Sequence, residues 1–483
     1  MTIFDDDETE RGAPPRLVDP GLMPLRHRAS DAASELPITP RLPESGVLRS
    51  GREPETRVAR ARASWKRSEP HADAVDRQRR RSADGGRGST IPERKRAMLG
   101  VVAAVFLVPA AILAINAAQH QAPPPDRSRV LPIDAWAPYW ALDASNADLS
   151  LRAPLLREIS PFWFSVTGPT EIVANKNAPA KSTKTFLSAA RRAGVPLVPS
   201  IFDDLPAGQM ASVLADPATR TAHVDALMKF AADGKFAGLD IDYEKFAFSD
   251  DKATWVATRP NWVAFVTELS TRLHTVGRTL TVSVPPVYDS GQTTDSGYWV
   301  YDYAAITPLV DRVRVMAYDF STSEAGPIAP LEWVHRLIDG VTKTAGDPTK
   351  LVLGVPLYGY NWPTSTTGDC SAGKKSERTT VRLRDLPDLL VRRPSTPTFD
   401  QVSGEWTFSY QLPVPDAGAT CIETRTVWYV DGAGAQVRTD LARDAGWAGV
   451  SLWALGYDDQ RVWDTFAAAH PTTTSTAPAT SGG

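Results

Sequence analysis

The chain is poor in the residues that most often carry metal and redox chemistry. Two cysteines in 483 residues are too few for a disulfide-built scaffold or a cysteine-rich zinc site. No histidine cluster stands near either of them, so no metal centre is expected. No glycine-rich phosphate turn follows an early strand, which leaves a doubly wound nucleotide-binding sheet without its main signal. No cofactor is expected. Charge of one sign is also scarce overall, at a net −3, but it is unevenly spread. Residues 51–96 carry 14 Lys/Arg against 7 Asp/Glu, residues 1–50 carry 6 against 9, and the chain from residue 97 onward is net −7. An acidic globular body argues against nucleic acid as a partner.

The first 96 residues show no sustained apolar period and read as a disordered, basic tail. Arg94-Lys95-Arg96 then precede Ala97 to Ile115, which carry no charge. Nineteen helical residues span about 28 Å, close to the hydrocarbon thickness of a bilayer. Pro109 is tolerable in such a helix. A 96-residue leader is too long for the charged region of a cleaved signal peptide. The expectation is a single transmembrane helix over 97–118, with the N-terminal tail cytoplasmic and the rest outside the membrane. Residues 119–130, with Pro123-Pro124-Pro125, read as a stiff linker, and 471–483 as a flexible tail.

From residue 131 to 470 apolar or aromatic runs alternate with helix-like stretches. The runs are Ala135–Trp140, Phe162–Val166, Val195–Ile201, Phe236–Tyr243, Leu280–Val284, Val313–Tyr318, Leu351–Tyr358 and Ala448–Trp453. Between them lie Lys184–Ala193, Thr221–Ala232, Asn261–Val276 and Leu331–Thr344, spaced as amphipathic helices. This alternation predicts an α/β fold, a (β/α)8 TIM barrel. The wide gap before the eighth run predicts a small subdomain inserted after strand seven, over about 361–434, with strand-like pieces at Trp406–Tyr410 and Thr426–Val430. Cys370 and Cys421 both fall inside it, and outside the expected membrane, so they are expected to form one disulfide.

The fourth run ends in Asp240-Ile241-Asp242-Tyr243-Glu244. Strand alternation puts the three acids on one face and Leu239, Ile241 and Tyr243 on the other. Like charges on one face of a buried strand oppose each other's ionisation. Barrel chemistry sits where strands end. The other strand ends supply Tyr139-Trp140, Met316-Ala317-Tyr318-Asp319, Tyr358, Trp362 and Trp453. Acids, a tyrosine hydroxyl and aromatic faces in one mouth suit a carbohydrate, whose C–H faces pack on rings while its hydroxyls bond to polar groups.

Ala237-Gly238-Leu239-Asp240-Ile241-Asp242-Tyr243-Glu244 resembles the D-G-x-D-x-D-x-E signature of glycoside hydrolase family 18, the chitinase-like enzymes. Met316 to Asp319, Gly326-Pro327, Gly354 to Tyr360 and Gly449 to Gly456 resemble further segments of that family. The ending Trp453-Ala454-Leu455-Gly456-Tyr457-Asp458-Asp459 is similar to the branch holding spore-cortex-lytic N-acetylglucosaminidases. The resemblance implies that Glu244 is the general acid and that Asp242 orients the substrate's 2-acetamido group. Tyr318 would hydrogen-bond that group from the other side, and Asp240 would share a proton with Asp242. Asp319 would contact sugar hydroxyls and Trp453 would floor the site, with Tyr139, Trp140, Met316 and Tyr358 as further substrate contacts. The nucleophile would be the acetamido oxygen itself, with retention of configuration. The first acid of the signature is Ala237 here; in the family it supports the catalytic pair from beneath. The implied partner is an N-acetylglucosamine-containing polysaccharide, chitin or peptidoglycan, with membrane attachment through 97–118 and a monomeric state. A carbohydrate-binding, non-hydrolytic protein of the same fold is the alternative, and Glu244 counts against it. A tethered scaffold acting through its basic tail is a third.

Overall fold

The computed structural model describes residues 129–286, 297–370, 377–414 and 421–469. Residues 1–96, the 97–118 segment and the 471–483 tail lie outside them. Among the described residues no helix is long and apolar enough to cross a membrane.

Eight parallel strands close on themselves. They are β1 (Ile133–Pro138), β2 (Leu156–Gly168), β4 (Ser200–Asp203), β5 (Gly238–Asp242), β6 (Thr279–Val284), β7 (Arg312–Val315), β8 (Leu351–Pro356) and β14 (Gly449–Trp453). Each neighbour in that order is hydrogen-bonded, and β1 pairs with both β2 and β14, which closes the barrel. A short strand β3 (Glu171–Ala174) adds antiparallel to β2. The expected eight runs are therefore the eight barrel strands. The helices α1 (Leu142–Arg152), α2 (Ala180–Arg192), α3 (Gln209–Ala215), α4 (Pro217–Asp233), α5 (Trp255–Thr275), α6 (Leu331–Ala345), α7 (Gly432–Asp444) and α8 (Gln460–Ala469) occupy the connections. The strands β1, β5, β8 and β14 are buried along their whole length, as a parallel sheet wrapped by helices requires. The outward residues Leu239 and Ile241 of β5, and Tyr243 just after it, are fully buried. Tyr243 stacks on Phe265 of α5, and its hydroxyl donates to Nε2 of the buried His223 on α4, at 2.8 Å.

The inserted subdomain begins earlier than expected. β9 (Tyr358–Thr367) leaves the barrel with only Leu357 between it and β8. With β10 (Thr379–Arg382), β11 (Thr398–Asp400), β12 (Glu405–Pro413) and β13 (Ile422–Tyr429) it forms an antiparallel sheet of order β10-β9-β13-β12-β11. Cys370 and Cys421 are disulfide-bonded, just beyond the Thr367–Ile422 pair that ends the β9–β13 ladder. The buried Glu405 of β12 accepts from the backbone N–H groups of Ile328 and Ala329 at 2.8 and 2.7 Å, and from Arg438 of α7 at 3.1 Å. The sheet is thereby fixed to the loop after β7.

Two local expectations are corrected. Glu244 is not on the strand: β5 ends at Asp242, and Glu244 has helical backbone angles (φ −93°, ψ −15°) as it leads into the short helix Lys245–Phe248. Ala237 does not sit beneath the acids. It precedes β5 at the opposite end of the strand, is exposed, and makes only backbone bonds, to Leu197 and from Thr279.

Candidate active site

The strand ends bring the expected residues together at the C-terminal mouth. Asp240 and Asp242 are buried on the inward face of β5. Glu244, half-buried, follows on the turn. Tyr318 and Asp319 follow β7, both buried. Tyr318 lies in the fields of Asp242, Glu244 and Asp319, which together with burial push its hydroxyl well above the usual tyrosine range. Glu244 holds its proton well above the usual carboxyl range, because it is desolvated and because Asp242 and Asp319 face it. Asp242 is pushed up in the same way by burial and then by Asp240, with Arg314 opposing. A carboxylic acid kept protonated near neutral pH is what proton donation to a leaving oxygen requires.

Three atoms in this group are buried without a hydrogen-bond partner among the described residues: Asp242 Oδ1, Glu244 Oε2 and Tyr318 Oη. Each costs about 1–3 kcal/mol where it stands. Three such atoms from two strand ends, on groups that feel one another's charge, suit a polar ligand.

Aromatic rings line it. Trp453 at the end of β14 is ringed by Trp136 and Phe162 at 5.6 and 4.9 Å between centroids, and by Tyr318 and Trp140 at 6.4 Å. The peptide after Trp453 is cis. Trp140, partly exposed, packs edge-on against Tyr139 and donates from Nε1 to Tyr457 Oη at 2.8 Å. Met316 is buried just below Tyr318 in sequence. Asp319 adopts a left-handed backbone (φ 60°), a strained conformation for a non-glycine residue and one that clusters at functional sites. Its Oδ1 accepts from the hydroxyls of Tyr358 and Tyr360 at 2.5 and 2.7 Å. Tyr358 thus supports Asp319 through its hydroxyl.

Sequence reasoning missed the layer below. Asp240 Oδ2 accepts from Ser200 Oγ at 2.5 Å and from Arg314 Nη1 at 2.9 Å, and Oδ1 from Ser283 Oγ at 2.8 Å. Arg314 also donates to Ser160 and Glu158. The support beneath Asp242 and Glu244 therefore comes from β2, β4, β6 and β7, not from residue 237. Period two places Arg312 and Arg314 inward on β7 as it places the acids on β5, but it does not say which acids they meet. Trp136 and Tyr360, also missed, follow from the same alternation. No group of His, Cys, Asp and Glu able to hold a metal ion occurs among the described residues.

The family described as Glycosyl hydrolases family 18 matches residues 169–458. Over 260 residues the chain is 29% identical to the uncharacterized glycosylase YvbX of Bacillus subtilis, a match covering 53% of this chain and 68% of that protein. It is 24% identical over 258 residues to the cortical fragment-lytic enzyme of Bacillus subtilis, covering 52% of this chain and 54% of that relative, about half its length. A solved chitinase from Chromobacterium violaceum is similar with a TM-score of 0.58 at 22% identity, over 71% of this chain and 99% of that one. The spore cortex-lytic enzyme SleL of Bacillus megaterium gives 0.57 at 19% identity, over 71% and 75%. At these identities the likeness to the solved structures is one of fold.

Proposed function

The chain belongs to glycosyl hydrolase family 18, and from that premise we propose that it cleaves β-1,4 linkages of an N-acetylglucosamine-containing glycan with retention of configuration, the substrate's own 2-acetamido oxygen acting as nucleophile. The observation that carries this reading is the trio of partnerless buried atoms, Asp242 Oδ1, Glu244 Oε2 and Tyr318 Oη, beside the Trp453 floor. A carboxyl kept protonated, Glu244, gives its proton to the leaving oxygen. Asp242 and Tyr318 hold the acetamido group on its two sides. Asp242 follows Asp240 on one strand face and adjoins Glu244, so neither acid is placed across the scissile bond from the other as an enzyme nucleophile would be. The acetamido oxygen supplies the attack. Asp319, fixed by Tyr358 and Tyr360, takes sugar hydroxyls, with Trp140, Tyr139 and Met316 shaping the approach.

Relatives whose names mark them as lytic for spore cortex, together with the uncharged 97–115 stretch, favour peptidoglycan over chitin. On this reading residues 97–118 anchor a monomeric enzyme whose barrel faces away from the cytoplasm. Release of the full chain from membranes by alkaline carbonate washing would refute the anchor. The catalytic reading is tested by digesting purified peptidoglycan and chitin oligomers and identifying products by mass spectrometry. Proton NMR of the first product decides the stereochemistry: β-anomer first is expected, and α-anomer first would overturn the mechanism.

A further inference from the structure

Barrel interiors are ordinarily filled by layers of branched aliphatic side chains. Beneath the mouth of this barrel the filling is charged. Arg314 is fully buried. Its Nη1 donates to Asp240 Oδ2 at 2.9 Å and to Ser160 Oγ at 2.8 Å, while Nη2 donates to Glu158 Oε1 at 2.8 Å and lies 3.5 Å from Asp134 Oδ2. The guanidinium lies 4.9 Å from the centroid of the Trp136 ring. Asp134 and Glu158 have cations of their own. Arg157 grips both oxygens of Asp134, at 2.7 and 2.5 Å, and Arg312 reaches Glu158 at 2.9 Å. Asp240 has Arg314 as its guanidinium partner and is otherwise held by the hydroxyls of Ser200 and Ser283. A guanidinium has no lone pair and can only donate, so these contacts fit an ionised carboxylate.

We propose that Arg314 is a positioning residue for the family-18 reaction inferred above, which this step takes as its premise: its guanidinium holds Asp240 in a charge-assisted hydrogen bond, so that the catalytic proton is confined to Asp242 and Glu244. The sequence expectation had Asp240 sharing that proton. With donors on both of its oxygens, Asp240 is occupied by its own partners, and its field raises the proton affinity of Asp242 above it.

The groups facing this arrangement come from every packed element. They are Asp134 of β1, Arg157 and Glu158 of β2 and Arg312 of β7. On the mouth side they are Glu244, Asp319 and the hydroxyls of Tyr318 and Tyr301. Asp203 at the end of β4 acts on the outward-facing Tyr243. The strands β6, β8 and β14 carry no titratable side chain. Arg314 lowers the proton affinity of Asp242, opposing burial and Asp240. Deleting its charge therefore raises the proton affinity of the acids above it.

The test is the pH profile of kcat/KM on an N-acetylglucosamine tetramer, with folding checked by circular dichroism. Arg314→Met should move both limbs upward by about one pH unit, within the range a neighbouring charge moves a carboxyl group. Arg314→Lys, which keeps the charge, should move them less than half as far. Glu158→Gln, which leaves Asp240's own contacts in place, should move them less than Asp240→Asn does. Asp240→Asn should move them downward, and Arg314→Met added to Asp240→Asn should bring them back up. Because that double variant is charge-balanced, it carries the test if Arg314→Met alone does not fold. Limbs that stay in place when Arg314 is replaced, or that coincide in Asp240→Asn and the double variant, would reduce Arg314 to a structural residue. The pH dependence of tetramer affinity, measured calorimetrically, reads the same proton without turnover. A wild-type protein that binds without turnover would refute the proposed function and still leave this test decidable.

Discussion

Two layers of the same barrel, one residue pair apart along β5, treat charge in opposite ways. Around Asp240 each carboxylate faces a guanidinium: Asp134 with Arg157, Glu158 with Arg312, Asp240 with Arg314. Around Asp242, the next inward residue, the carboxyl groups face one another and Tyr318, and three polar atoms have no partner among the described residues. Both layers are buried, so desolvation alone does not separate them. What differs is the sign of the neighbours. In the lower layer each acid has a cation within reach. In the upper layer Glu244 has Asp242 and Asp319 beside it, and its environment is changed by what binds there.

The comparison is most directly broken at Glu244. Glu244→Gln should lower turnover of a natural oligomer roughly 10²- to 10⁴-fold, the usual share of general acid catalysis, while oligomer affinity by calorimetry is kept. Stability should hold or rise, since an isolated acid is removed from a desolvated position. Loss of stability in urea melts would mean that the upper layer is structural after all.

A smaller effect distinguishes the lower layer. Burial first, and Asp134 second, push Glu158 from 4.5 up to about 7. Its folded proton affinity exceeds the unfolded one, so it favours the native state below pH 4.5 and loses that contribution as pH climbs to about 7, by about 3 kcal/mol. The buried His223 behind β5 has the opposite sign. Burial depresses it from 6.5 to about 4, so its contribution is present above pH 6.5 and is lost as pH falls towards 4. Asp203, which burial raises to about 7, has the same sign as Glu158 in this window. Relative to the wild type, Glu158→Gln should make stability rise more steeply, or fall less steeply, with pH between 4.5 and 6.5, and His223→Gln should change the slope the opposite way. Denaturant midpoints measured across the window would check both, and parallel curves in the two variants would refute the assignment.

Ser283→Ala removes one of Asp240's donors and should cost about 1 kcal/mol of stability, with kcat/KM reduced several-fold at most. A loss as large as that of Glu244→Gln would erase the distinction between the layers. The smallest effect belongs to Ala237→Asp. Restoring the signature's acid at an exposed position at the far end of the strand should change stability by less than about 0.5 kcal/mol and leave the pH limbs in place. A shift of those limbs would show that residue 237 communicates with Asp242 after all.

The barrel was legible because each strand is a short apolar run and each connection has helical spacing, two signals that need no long-range information. The insertion and its disulfide were legible for a similar reason: a long gap must fold on itself, and both cysteines lie within it. The site acids were legible through period two on a single strand. Arg314 was not, because its meaning depends on closure of the barrel, which brings β7 across to Asp134, Glu158 and Asp240. Spacing along one strand cannot reveal a partner supplied from another side of the ring. Glu244 was placed on the strand because alternation was extended two residues past the point where the backbone turns helical. Ala237 was given weight because a signature records order in sequence, whereas the end of the strand it occupies decides what it can touch.

The start of β9 has a consequence for how this protein can be recombined. Tyr358 and Tyr360 belong by sheet to the inserted subdomain and by hydrogen bonds to Asp319 at the barrel mouth. A chimaera that exchanges the insertion with that of a relative at the visible seam, after Pro356, would import a foreign pair of residues beneath Asp319. A junction placed after Trp362 would keep the host's own tyrosines. The boundary at which this subdomain can be traded as a module therefore lies some residues inside the sheet that defines it.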